Sequence, residues 1–133
     1  MNKMKHVRVG RYCMFDAPIV VWLTGDIDST TRFQWTPHSR IEMFIGTPEV
    51  GYPSWSQVVQ NATHEVMETA FILKRCHFKP NGSLINSACD SYLMMARHYE
   101  FTEICQNAGD MLTMLLPDLS AAYKTFRKKS RLS

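Results

Sequence analysis

The chain has 133 residues, of which 45% are hydrophobic and 20% charged, and a net charge of +3 at pH 7. That size and balance exclude an intrinsically disordered or collagen-like protein and lead us to expect one domain, residues 1–133, with its own core. So mild a charge permits contact with nucleic acid without requiring it.

The amino terminus carries Lys3, Lys5, Arg8 and Arg11 with no long apolar segment behind them. No secretory signal is therefore expected, and a cytoplasmic location is. The best apolar run, Pro18 to Leu23, is far too short to span a membrane and lies between Asp16 and Asp26. Cys13, Cys76, Cys89 and Cys105 form no Cys-x-x-Cys pair, so free and mostly buried thiols are expected.

The first half reads as strands. Val7 and Val9 alternate with polar neighbours, and Tyr12 to Phe15 continues the apolar character. Pro18 to Leu23 is rich in β-branched residues and closes at Thr24-Gly25-Asp26, and the polar stretch to Thr31 reads as a loop. Phe33 to Trp35 and Ile41 to Ile45 are further strands, punctuated by Pro37, Gly46 and Pro48.

After Gly51-Tyr52-Pro53 the pattern changes. Ser54, with Gln57 three residues on, has the signature of a capping box. The spacing predicts a helix to about Cys76 with Lys74 and Arg75 in its last turn. Pro80-Asn81-Gly82 marks a turn, and Ser91 to Arg97 reads equally as strand or helix. Phe101, Ile104, Cys105, Ala108, Met111, Leu112 and Leu115 make one helical stripe, which Pro117 is expected to end. Asp118 to about Lys129 then forms a last helix with Leu119, Tyr123 and Phe126 inward. The expected fold is α+β: a small, mostly antiparallel sheet of three to four strands, a long central helix and two carboxy-terminal helices.

On the central helix, Val58, Val59, Ala62, Val66, Ala70 and Leu73 form the face expected to meet the sheet. His64, Glu68 and Phe71 lie nearly opposite, so the helix is expected to be sandwiched between the sheet and the carboxy-terminal helices. His64 and Glu68 are four apart and share a helix face, within reach of one ion. Zinc is the candidate cofactor, with His64 and Glu68 as ligands and Glu65 as the general base that activates bound water. A third ligand must come from downstream, His98 first and Asp90 second. The plain alternative is a hydrogen-bonded His64–Glu68 pair that orders this layer.

The order His64-Glu65-x-x-Glu68 resembles the His-Glu-x-x-His helix of zinc metallopeptidases, with a glutamate where the second histidine would stand. The resemblance implies zinc and a hydrolytic water and covers the central helix alone. The stretches Thr63-His64-Glu65-Val66-Met67-Glu68 and Arg97-His98-Tyr99-Glu100-Phe101-Thr102-Glu103 also resemble small uncharacterised proteins of tailed bacteriophages, which brings no activity with it. A phage origin would place the protein in the host cytoplasm.

Two other signals stand out. Asp26-Ile27-Asp28-Ser29-Thr30 after an apolar run resembles the first motif of haloacid-dehalogenase-like phosphatases, but the chain is too short for that fold and a solvated turn is expected. The tail holds Lys124, Arg127, Lys128, Lys129 and Arg131 with no acid after Asp118, a cluster able to grip phosphates or an acidic protein surface. The leading functional expectation is a small, non-catalytic protein that works through a protein partner. The alternatives are a zinc-dependent hydrolase and a nucleic-acid accessory protein using the tail.

Overall fold

The computed structural model describes residues 6–25, 30–35, 38–47, 54–86 and 92–131, with residues 129–131 as backbone. β1 (His6–Met14) and β2 (Ala17–Thr24) pair as an antiparallel hairpin, with Ala17, Ile19, Val21 and Leu23 buried at every second position of β2. Phe15 and Asp16 both take positive φ, 48° and 62°. That pair of left-handed residues gives the two-residue turn the twist that matches the strands. Asn107 Oδ1 accepts from the Phe15 N–H at 3.0 Å and holds the turn against the last helix. Next come β3 (Arg32–Gln34) and β4 (Arg40–Gly46), giving a sheet of order β1-β2-β4-β3.

The sheet is mostly antiparallel, as expected, with one parallel pairing at its centre. β1–β2 and β3–β4 are antiparallel, but β2 and β4 run parallel. The chain leaves β2, forms β3 on the far edge, and returns beside β2, a crossover long enough to allow parallel pairing. Ile19, Val21 and Leu23 of β2 and Ile41, Met43 and Ile45 of β4 turn to one buried face.

Among the described residues that face is covered by two helices rather than the expected three. The first, α1 (Trp55–Leu73), starts at a complete capping box between Ser54 and Gln57. It stops at Leu73 because Lys74 is its cap and Arg75 takes a left-handed φ of 62°. Arg75 N–H donates to Ile72 O and Cys76 N–H to Phe71 O, the paired closure that usually places glycine where Arg75 stands. Lys74 and Arg75 thus lie in the cap and not in the last turn. The expected sandwich is not formed: α1 touches β4 and α2 (His98–Arg131), but α2 itself packs on β1 and β2, so the two helices lie side by side on the sheet.

Pro117 lies inside α2, which runs unbroken for 34 residues, about 50 Å. Pro117 itself is exposed, while Ile104, Ala108, Met111, Leu115, Leu119 and Ala122 are buried in one phase on both sides of it. Burying that continuous stripe against β1, β2 and α1 outweighs the ~3 kcal/mol an interior proline costs. The ambiguous stretch before α2 holds a short strand, β6 (Leu93–Met94), paired antiparallel with β5 (His77–Phe78). Of the described cysteines only Cys76 is buried; Cys13 and Cys105 are exposed, because their positions face away from the apolar side of β1 and α2. Asp26, Ile27, Asp28 and Ser29 of the aspartate motif, and Cys89 and Asp90, lie outside the described residues.

Candidate metal centre

The helical repeat stacks His64 above Glu68 and sets Glu65 to one side of them. One ligand atom from each of the three lies within 4.8 Å of the others. His64 Nε2 and Glu65 Oε2 are 3.6 Å apart, too far for a hydrogen bond. That gap is close to the separation of two ligand atoms on one tetrahedral ion, about 3.4 Å for metal–ligand bonds of about 2.1 Å.

The three differ in burial, and this sets the site's direction. The His64 side chain is 60% exposed, Glu65 19% and Glu68 7%, so the cluster runs from solvent into the protein. Thr31, buried just before β3, donates from Oγ1 to Glu65 Oε1 at 2.6 Å and fixes that carboxylate. Behind Glu68 stands His77, fully buried, its Nε2 3.6 Å from Glu68 Oε2. Neither ring nitrogen of His77 has a hydrogen-bond partner, and its ring packs on that of Tyr92 at 4.2 Å. Burial pushes the His77 pKa down, against a smaller opposing effect of the Ile85 backbone. The imidazole is thereby favoured in its neutral form, as a donor–acceptor rather than a cation.

Two of these groups escaped the sequence. His77 lies beyond the end of α1, and only the reversal at Arg75 brings β5 back to the helix. Thr31 arrives from the strand region. A histidine between Cys76 and Phe78, amid apolar neighbours, is the one signal that could have pointed to His77. Conversely, His98 is exposed at the first residue of α2 and lies outside the group of His64, Glu65 and Glu68. The third member of that group is Glu65, from the same helix.

Two further polar contacts brace the end of α1 and the start of α2. Lys74 Nζ pairs with the Glu103 carboxylate, and Arg97 N–H donates to Glu100 Oε1 at the start of α2. Burial and Glu100 push the Cys76 thiol up to about 11. In the tail, Lys124 and Lys128 are exposed, while Arg127 is half-buried with its guanidinium 5.6 Å from the Tyr123 ring centre. The side chains of Lys129 and Arg131 lie outside the described residues.

Leu84, Leu93, Met94, Met95, Tyr99 and Phe101 are exposed around β5, β6 and the start of α2. Phe78 pairs with both Leu84 and Leu93, so those two leucines flank it. Among the described residues no helix is long and apolar enough to cross a membrane. Neither a protein-family model, nor a curated protein, nor a solved structure matches this chain.

Proposed function

We propose that the protein binds one divalent transition-metal ion, with zinc as the first candidate, and uses it for hydrolysis. The observation that carries this reading is the convergence of His64, Glu65 and Glu68 within 4.8 Å. One imidazole and two carboxylates are a nitrogen–oxygen donor set suited to zinc and its neighbours. Three protein ligands opening to solvent at His64 leave a position for water, the pattern of catalytic rather than structural zinc. In this reading Glu65 is a ligand held by Thr31 and not the general base. His77 orients Glu68; a closure of about 0.5 Å turns their contact into a hydrogen bond of the kind that supports ligating carboxylates.

The test is the metal content of the purified protein and of His64→Ala and Glu68→Gln variants that keep the wild-type circular dichroism. About one equivalent in the wild type, lost in both variants, is the expected result. A wild type that takes up no zinc, cobalt or manganese at micromolar concentrations ends this reading.

The exposed apolar residues around β6 favour a second reading, a non-catalytic protein that docks a partner there. Exposed Met94 and Met95 suit an adaptable contact. Here Leu93→Glu and Met95→Glu together should abolish retention of a specific partner while metal content stays unchanged. Retention that survives both substitutions places the partner elsewhere.

A further inference from the structure

The two helices cover one face of the sheet, and the strand register says what the other face carries. Arg8 lies opposite Trp22, which lies beside Phe44. Arg11 lies opposite Val20, which lies beside Glu42, and Glu42 lies opposite Arg32. Arg40 lies opposite Gln34 on the same face. Arg8, Arg11, Arg32 and Arg40 are all exposed, whereas Glu42, the acid in these rows, is half-buried in register with Arg32.

The arrangement is a basic frame around an apolar centre. Arg8 and Arg11 stand on edge strand β1, and Arg32 and Arg40 on β3 and β4 at the other side. The two sides are about 10–15 Å apart at the usual strand spacing. Between them lie Val20 and Trp22, half-buried, with the His6 ring 6.4 Å from the indole. Arg32 also lies over the Phe44 ring, its Cζ 5.3 Å from the ring centre. The buried indole Nε1 of Trp22 has no hydrogen-bond partner. Among the described residues, no helix packs on this side.

We propose that the helix-free sheet face binds single-stranded nucleic acid, its phosphates on the two arginine rims and its bases across Trp22. Charge complementarity selects a polyanion, because four exposed arginines outnumber the single glutamate of these rows. Shape selects a single strand. Cations flanking an apolar aromatic centre suit a strand whose bases lie open to stack on an aromatic ring. Arginine is also the side chain that holds phosphate through a bidentate fork and stacks on bases. This site is distinct from the metal centre on α1 and from the basic tail.

The experiment is fluorescence anisotropy of a labelled twenty-residue oligothymidylate titrated with the whole protein at 50, 100 and 200 mM salt. With three to four phosphates neutralised, log K should fall against log salt with a slope of about −2 to −3. Arg8→Glu/Arg11→Glu and Arg32→Glu/Arg40→Glu should each raise Kd at least tenfold. Lys124→Glu/Lys128→Glu should leave it within twofold. Arg11→Gln/Arg40→Gln serves if charge reversal unfolds the protein, and an intermediate loss is then expected. The proposal is overturned by no binding at 50 mM salt, or by binding that only the tail variant loses. Binding to phosphatidylserine vesicles without binding to the oligonucleotide also overturns it.

Discussion

His77 Nε2 faces Glu68 Oε2 across 3.6 Å, with one side chain fully buried and the other 7% exposed. A histidine from a two-residue strand thereby backs a carboxylate from the fourth turn of α1, the two coming together only because the chain reverses at Arg75. Burial holds the His77 pKa below its ordinary 6.5. The unfolded chain therefore takes up this proton before the folded one does. Stability is fully present above about pH 6.5 and falls as pH drops below it, until the folded imidazole also protonates. The urea midpoint measured in EDTA should be lower at pH 5.5 than at 7.5, and His77→Gln should shrink that difference.

Metal binding to the folded state alone raises stability by mass action. Zinc at one hundred times its Kd should add about 2.7 kcal/mol to the unfolding free energy. Urea denaturation with and without zinc measures the gain. In His64→Ala the gain should vanish, since that substitution removes the imidazole of the cluster and touches no buried apolar group.

The unbroken stripe of α2 sets a contrast between neighbouring residues. Leu115 is fully buried and Met114 is 67% exposed. Leu115→Ala should cost about 2–5 kcal/mol, because it leaves a cavity at the meeting of α2 and the sheet. Met114→Ala should change stability by no more than about 0.5 kcal/mol. Equal effects on the melting temperature would contradict the phase of this helix.

Arg75 occupies a left-handed position with its side chain exposed. Only glycine takes that conformation without a Cβ clash. Arg75→Gly should therefore stabilise the protein by about 0.5–1 kcal/mol, provided the Cys76 N–H to Phe71 O closure stays intact. A lower thermal midpoint would show that the Arg75 side chain contributes more than the backbone strain removes.

The cysteines should differ in reactivity. Cys76 is buried, with its thiol pushed up to about 11, while Cys13 and Cys105 are exposed. Iodoacetamide at pH 8, followed by peptide mass spectrometry, should modify Cys13 and Cys105 and leave Cys76 unmodified until denaturant is added. Labelling of Cys76 at the same rate would mean that the α1 to β5 junction opens readily.

Local pattern was enough to determine the strands, the capping box at Ser54 and the shared face of His64 and Glu68. Each depends on residues two to four apart, whose geometry follows from strand and helix periodicity alone. Tertiary structure decided the rest. Pro117 carries a strong local stop signal, yet the stripe buried on both sides of it keeps α2 in one piece. The parallel pairing of β2 with β4 depends on where β3 lands, which no alternation of residues encodes. The surroundings of Glu68 depend on His77, and those of Glu65 on Thr31, both delivered by chain reversals. The arginine frame on the open sheet face is likewise a product of register: Arg8, Arg11, Arg32 and Arg40 are spread along the sequence and become neighbours only when the strands pair.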